Sequence, residues 1–347
     1  FVSDICELLD DDVVVYASGP PDGARSDDER RFPVVRDGTL LLPTRRLADR
    51  TADILRRSGA TRVIFGAAAP LGLLAPHLRR AGAQRILALT HGHETWWAAL
   101  PGSRQLLRRI GDGCDHLTAI SSYTSVRVGR ALSETGRARL LRLPPPVDTT
   151  RFVPAAWNEH SSTCIAVGRF VPQKGFGTLL RAWRLVLNDR PASAASELIL
   201  VGDGPDRPRL ESMISDLGLG ETVRMAGAMP RADVITALQR ADLFALPVRT
   251  RLGGLNPEGL GLAALEAAAC GLPVIIGDSG GAPETVRHGK TGFVVDSRDP
   301  IDLARRITTL LMDRELAVTM GAAGRAMVEE HFSRAQARAT LRQALEL

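Results

Sequence analysis

Short apolar runs recur along this chain, at residues 13–16, 63–65, 86–89, 198–201, 243–246 and 274–276, and the stretches between them are long enough to hold helices. Runs of this kind, without polar alternation, read as strands covered on both faces, and strands separated by helices read as parallel sheets of the α/β class. With 347 residues and 44% hydrophobic content, the chain is long enough for two ordinary domains, each with its own core. The Pro-rich stretch Leu143-Pro144-Pro145-Pro146-Val147-Asp148 stands just ahead of a further apolar run at 164–167. It reads as a stiff linker and places the domain boundary near 148.

The segment 249–286, RTRLGGLNPEGLGLAALEAAACGLPVIIGDSGGAPETV, holds two acids, Glu258 and Glu266, eight residues apart. If a helix begins at Glu258, about 3.6 residues per turn set the second acid roughly 80° round and about 12 Å along the axis. The first acid then sits beside a Gly-rich loop of free amides and the second lies two turns deeper. A ligand with a sugar, a pyrophosphate and a ribose could touch both. The helix is expected to end at Cys270-Gly271, ahead of a buried parallel strand from Val274. A second glycine turn, Gly280-Gly281, follows, with Pro283-Glu284 opening the next helix. Two helical carboxylates usually mark a solvated face, but residues 259–265 and 267–269 are nearly all small or apolar. A helix buried almost all round requires partners for both carboxylates.

Lysine is nearly absent: only Lys174 and Lys290 occur among 44 basic residues. Lys174 stands near Arg169, and an arginine fork with a lysine point charge serves phosphate oxygens well. Lys290, in His288-Gly289-Lys290-Thr291-Gly292, reads as part of a structural turn. His91-Gly92-His93-Glu94 follows the run at 86–89 and so lies at a strand's carboxyl end, where open α/β sheets place their ligands. The His-x-His spacing raises a metal site, but no third ligand is evident and no metal is expected. Trp96 and Trp97 come next; they suit a sugar ring or a membrane surface as well as they suit packing.

Charge is unevenly placed. Through Arg151 there are 22 Arg and Lys against 17 Asp and Glu, and from Phe152 onward 22 against 22, so the whole excess of +5 lies in the first part. Arg104, Arg108 and Arg109 fall on an expected helix with Leu106, Leu107 and Ile110. That is a basic amphipathic surface suited to anionic lipid headgroups, or else an ordinary solvated face. Little aromatic interleaving and no recognisable module argue against nucleic acid. No apolar run reaches the length of about 18 residues that a membrane span needs, and no cleavable signal pattern is visible. Cys6, Cys114, Cys164 and Cys270 are scattered without a C-x-x-C pair, as expected of reduced cytosolic core residues.

Three of these segments together resemble the retaining glycosyltransferases of family 4. Glu258 and Glu266 match its E-x7-E motif, Arg169 and Lys174 within GRFVPQKG (168–175) match its R-x4-K segment, and Val201-Gly202-Asp203-Gly204-Pro205 matches its V-G-x-G-P turn. FGAAAPLGLLAP (65–76), THGHE (90–94), LPGSRQLLRRIGDG (100–113) and RTRLGGLNPEGLG (249–261) are similar to the actinobacterial GDP-mannose-dependent mannosyltransferases that build phosphatidylinositol mannosides. The similarity covers nearly the whole chain. It implies the GT-B fold, two Rossmann-like parallel-sheet domains with an interdomain cleft. Residues 1–148 would take the acceptor, 149–330 the nucleotide, and a helix over 331–347 would cross back to the first domain.

The same resemblance implies a hexosyltransferase that moves mannose from GDP-mannose to a phosphatidylinositol mannoside or related lipid, with no metal or other cofactor, peripheral at the inner, cytoplasmic face of the plasma membrane. Arg169 and Lys174 would neutralise the departing pyrophosphate, with Gly253, Gly254 and the amides near Glu258 as further donors. Glu258 would hold hydroxyls of the transferred sugar, Glu266 those of the ribose, and Met229 would meet the base through its backbone. His91 would lie near the donor sugar, while His93 and Glu94 orient that loop or face the acceptor. Arg104, Arg108 and Arg109 would meet the lipid surface. The implied route is front-face attack with no protein nucleophile, the leaving phosphate taking the acceptor proton as the domains close.

Two departures from the family pattern stand out. The family's first strand and Gly-Gly loop should precede a segment like 1–18, whereas this chain begins at Phe1; and Pro145-Pro146-Val147-Asp148 replaces the usual x-Gly-Val-Asp. Two alternatives therefore stay open: a family 4 enzyme using another sugar nucleotide such as a UDP-hexose on a soluble or lipid acceptor, and an inactive truncated homologue that binds sugar nucleotide or only a partner.

Overall fold

The computed structural model describes residues 2–9, 13–19, 32–37, 40–155, 162–188 and 196–347. The chain divides into two compact units, Phe1–Pro144 with Ala337–Leu347, and Pro145–Gln336. The division thus falls at Pro144, four residues before the expected 148, and the chain re-enters the first unit at Ala337, six residues after the expected 331.

The first unit runs α1 (Val2–Leu8), β1 (Val15–Ser18), β2 (Val34–Asp37), α2 (Arg45–Ser58), β3 (Arg62–Phe65), α3 (Ala75–Arg80), β4 (Arg85–Ala88), α4 (Glu94–Ala99), α5 (Pro101–Gly113), β5 (His116–Ala119), α6 (Ser122–Gly129), α7 (Glu134–Ala138) and β6 (Leu140–Arg142). Strands β3 to β6 lie in sequence order as a parallel sheet, and β1 pairs in parallel with β2. Helix α2 shows how local sequence sets an element. Thr44 caps the Leu47 amide, Leu47, Ala48, Ala52 and Leu55 form one buried stripe, and left-handed Gly59 ends the helix. That stripe joins a core with Ile86, Leu107, Ile110 and Leu117. A second cluster joins Ile5 and Leu8 of α1, Leu87 and Leu89 around β4, and Leu341 and Leu345 of the terminal segment.

The second unit runs β7 (Thr163–Val167), α8 (Phe176–Asn188), β8 (Glu197–Val201), α9 (Arg207–Asp216), β9 (Val223–Gly227), α10 (Arg231–Gln239), β10 (Leu243–Leu246), α11 (Leu262–Ala269), β11 (Val274–Gly277), β12 (Gly292–Val295), α12 (Pro300–Met312) and α13 (Arg314–His331); α14 (Arg334–Leu345) leads into the terminal segment. The six strands form one parallel sheet in the order β12-β11-β10-β7-β8-β9. Every residue of β10 and β11 is buried, the covering on both faces that continuous apolar runs require. The chain moves outward from β7 through β8 and β9, then returns to β10 on the other side. The strand order therefore switches between β7 and β10, the place where open α/β sheets bind ligands beyond the strand ends.

Candidate active site

At that switch point, loops from the carboxyl ends of β7, β10 and β11 meet. Lys174 ends a short 3-10 turn, Pro172–Lys174. Its Nζ donates to both carboxylate oxygens of Glu258, at 3.0 and 2.8 Å. The two side chains are 22% and 13% exposed, so the pair is largely removed from solvent. Backbone holds it from both sides. Gln173 Nε2 donates to the Pro257 carbonyl at 2.8 Å, while Arg249 donates through Nε to Pro172 and through its amide to Gln173. The Glu258 amide donates to Ser279 Oγ at 3.0 Å, and the Glu258 carbonyl accepts from Gly281 at 2.9 Å. Gly280, at φ +59°, passes so close that a Cβ there would collide with the Glu258 carbonyl oxygen.

Glu258 is not helical, which corrects the expected geometry. Helix α11 starts at Leu262, and its cap, Gly261, is left-handed at φ 99° and ψ 57°. Gly259 and Gly261 leave the chain free to turn, and the bonds to Ser279 and Gly281 fix that turn. The eight-residue spacing of the acids therefore sets no helical angle between them. Glu266 does lie on α11, and Arg231 Nη2 of α10 reaches its Oε1 at 3.2 Å, with the Glu266 side chain 13% exposed. Each shielded acid thus has its own cation, as the cost of burying charge demands. Pro283-Glu284 likewise open only a short 3-10 turn, Ala282–Thr285, in place of a helix.

The other residues expected to contact the donor lie on loops of the second unit. Arg169 is exposed on the same loop as Lys174, and its guanidinium makes no hydrogen bond or ion pair among the described residues. Met229 is half-buried between β9 and α10. Gly253 and Gly254 lie in the turn Leu252–Gly254 with φ of 61° and 97°. The amides of Gly254 and Glu258 are already taken, by the Arg251 carbonyl and Ser279 Oγ, so these two are not the free donors expected. Several arginines gather along this carboxyl-end crest of the sheet. Burial, then the Arg251, Arg209 and Arg181 guanidinium groups, push Arg249 below its ordinary range. Hydrogen bonds from Arg209, at 2.8 and 2.7 Å, hold the Asp206 carboxyl below the usual carboxylate range. The Asp206 amide in turn donates to Phe170, which ties this ion pair to the loop carrying Arg169 and Lys174.

In the first unit, Thr90 to Glu94 follow the carboxyl end of β4. Glu94 is fully buried and its Oε2 accepts from the amides of His91 and Gly92, at 3.0 and 3.1 Å. Its Oε1 lies 3.3 Å from His93 Nε2, without the direction a hydrogen bond needs. Glu94 therefore fastens the loop through Oε2. The His91 and His93 rings stack with centroids 6.3 Å apart, and His91 Nε2 bonds the Gly66 carbonyl. Among the described residues no three His, Cys, Asp or Glu side chains group as metal ligands would.

On α5, Arg104, Arg108 and Arg109 are exposed, but Leu107 and Ile110 are fully buried and Leu106 half-buried. The apolar stripe of that helix is consumed by the core, so the amphipathic surface expected of it does not form from those residues. Trp97 packs against the same core. Exposed apolar area comes instead from Trp96 and Leu100, at 46% and 49% exposure, just ahead of the arginines. No helix among the described residues is long and apolar enough to cross a membrane. None of the four cysteines is in a disulfide, and burial pushes the Cys114 and Cys270 thiols up to about 12.

Sequence reasoning missed Ser279, Gln173 and Arg231. Ser279 had a signal, as the residue before a Gly-Gly turn at a strand end; Gln173 and Arg231 had none, because their partners lie 84 and 35 residues away.

Comparison with known proteins agrees with this architecture. A family model described as glycosyl transferases group 1 matches residues 148–327. A GDP-mannose-dependent alpha-(1-6)-phosphatidylinositol monomannoside mannosyltransferase of Mycobacterium tuberculosis is 43% identical over 330 residues, 91% of this chain and 84% of that one. The GDP-mannose-dependent monoacylated alpha-(1-6)-phosphatidylinositol monomannoside mannosyltransferase of Corynebacterium glutamicum is 41% identical over 336 residues, 92% of this chain and 86% of that one. Among solved structures, Anabaena HepE in complex with UDP superposes with a TM-score of 0.82 at 19% identity, covering 99% of this chain and 94% of that one. With its two parallel-sheet units of the GT-B kind, the chain belongs to the group 1 glycosyltransferases.

Proposed function

We propose that this chain is a retaining mannosyltransferase that uses GDP-mannose and a phosphatidylinositol mannoside acceptor. The observation that carries the reading is the 41–43% identity, over 91% and 92% of the chain, to the mycobacterial and corynebacterial mannosyltransferases. The donor is taken by the second unit. Arg169 and Lys174, backed by the positive field around Arg249, neutralise the diphosphate as the glycosidic bond breaks, which is where charge develops. These cations offset the leaving-group charge without a divalent ion. Glu258 accepts from hydroxyls of the mannose, Glu266 from those of the ribose, and the backbone near Met229 meets the base. The acceptor attacks from the face the diphosphate leaves, and the leaving phosphate takes its proton.

The first unit takes the acceptor. The His91 loop, locked by Glu94, stands at the end of β4, and Trp96 and Leu100 beside Arg104, Arg108 and Arg109 supply an apolar tip with a basic flank for the lipid surface. The protein then works as a peripheral enzyme at the inner face of the plasma membrane. A thermal-shift panel tests the donor. A ligand at about 100 times its dissociation constant stabilises a fold by about 2.7 kcal/mol. GDP and GDP-mannose are expected to shift the melting temperature more than UDP or UDP-glucose, with or without magnesium. A larger shift with the uridine nucleotides, or a shift wholly dependent on a divalent ion, overturns the reading.

A further inference from the structure

We infer that Glu258 sets the preference of the donor site for a sugar diphosphate over the free nucleoside diphosphate left after transfer. The inference rests on the donor reading above and concerns the ion pair at the centre of the site. The ammonium that would take the diphosphate and the carboxylate that would take the sugar are bonded to each other, through both Glu258 oxygens, at 3.0 and 2.8 Å. The backbone that carries each group is held in place. Glu258 is fixed through its amide and carbonyl by Ser279 and Gly281, and the Lys174 turn is fixed by Arg249 and by Gln173.

Two of the three ammonium N–H donors of Lys174 already go to Glu258, so a diphosphate draws on Lys174 in direct competition with that carboxylate. The consequence differs between ligands. A sugar nucleotide brings hydroxyl donors for the vacated carboxylate, so its loss of the lysine is made good. A nucleoside diphosphate brings none and leaves a shielded carboxylate, 13% exposed, without its cation. The free diphosphate also ends in a phosphate monoester whose second ionisation falls near pH 6, so about one more negative charge faces Glu258 at neutral pH. Both effects act in the same direction. Once the sugar has been transferred, Lys174 and Glu258 re-form their pair and the diphosphate loses its cation, which favours product release.

The test is calorimetric titration of GDP and of GDP-mannose into the wild type, Glu258→Gln and Lys174→Gln, with melting temperatures to show that each variant is folded. Glu258→Gln is expected to tighten GDP by about tenfold while leaving GDP-mannose unchanged or weaker, a change of about 1.4 kcal/mol that lies at the low end of what close charge pairs at binding sites show. The ratio of the two dissociation constants should therefore move toward the product. Lys174→Gln should weaken both ligands and leave the ratio at or above that of the wild type. Weaker GDP binding by Glu258→Gln, an equal change for both ligands, or a ratio that collapses alike in both variants overturns the inference. Because the ratio compares a sugar nucleotide with its own diphosphate, it is read with UDP and UDP-glucose should the guanine nucleotides fail to bind the wild type. Such a failure refutes the donor reading, while the ratio still decides this one.

Discussion

The two loops that carry the candidate chemistry are built on opposite plans. In the second unit, charged side chains face one another and backbone contacts hold them in place: Lys174 meets Glu258 and Arg231 meets Glu266. In the first unit, the buried charge is itself the scaffold. Glu94 accepts from the His91 and Gly92 amides, and the exposed groups are the arginines and Trp96 further along. Replacing a charge at the second-unit crest should therefore remove chemistry and leave the fold, whereas replacing Glu94 should disturb a loop.

The largest contrast is expected at Lys174. Lys174→Ala and Arg169→Ala should each lower transfer by about 100-fold or more, the size of losing one preorganised charge partner of a transition state. Their melting temperatures should stay within a few degrees of wild type. A Lys174→Ala enzyme with near-wild-type turnover would break the comparison on its functional side.

Glu94 comes next. Glu94→Ala leaves two half-buried amides without their acceptor, at up to about 1 kcal/mol each, and should lower both stability and turnover. Glu94→Gln keeps an acceptor oxygen and should restore most of both. If Glu94→Gln were as inactive as the alanine variant while fully stable, the carboxylate would be acting on substrate and the scaffold reading would fail.

The surface residues should act on lipid alone. A combined Arg104→Gln, Arg108→Gln and Arg109→Gln variant should lose about 1 kcal/mol of anionic-vesicle binding per residue, in a salt-dependent manner. Trp96→Ala with Leu100→Ala should weaken binding to neutral and anionic vesicles alike, read by vesicle sedimentation. GDP-mannose binding should not change in either. Unchanged sedimentation would leave the basic flank as composition alone.

The smallest effect concerns Asp206, whose carboxyl is held below its ordinary range by Arg209. A depressed carboxyl pKa stabilises the fold above the unfolded value and loses that contribution as pH falls through the folded value. Asp206→Asn should therefore lower the melting temperature at pH 7, and the gap from wild type should close as the pH is taken down into the acid range. A gap that stays constant down to pH 3 would contradict the assignment.

Much of the fold was legible because strands covered on both faces leave a continuous apolar trace, as at 243–246 and 274–276. Strands that escaped notice have polar residues with specific uses. In β5, Thr118 is buried because its hydroxyl accepts from the Thr90 amide at 3.2 Å. In β9, at the sheet edge, Arg224 is exposed and pairs with Glu197 of β8 at 2.8 Å. The candidate site was legible by residue type, through a rare lysine near an arginine and two acids in apolar surroundings. Its geometry was not. Glu258 sits in a turn because glycines follow it and Ser279, 21 residues away, holds its amide. Periodicity reports spacing along one element and is blind to such bonds. The arginines of α5 are exposed as expected, but periodicity could not tell that Leu107 and Ile110 would face the core.

The measurement closest to the central claim is transfer itself. Purified protein is incubated with GDP-mannose labelled in the sugar and vesicles containing phosphatidylinositol monomannoside, and the lipid product is analysed for its anomeric configuration. The account predicts a labelled glycolipid with the new mannose α-linked, formed in the presence of EDTA and abolished by Lys174→Ala. Labelled lipid from UDP-glucose but not GDP-mannose, a β-linked product, or undiminished transfer by Lys174→Ala would contradict it.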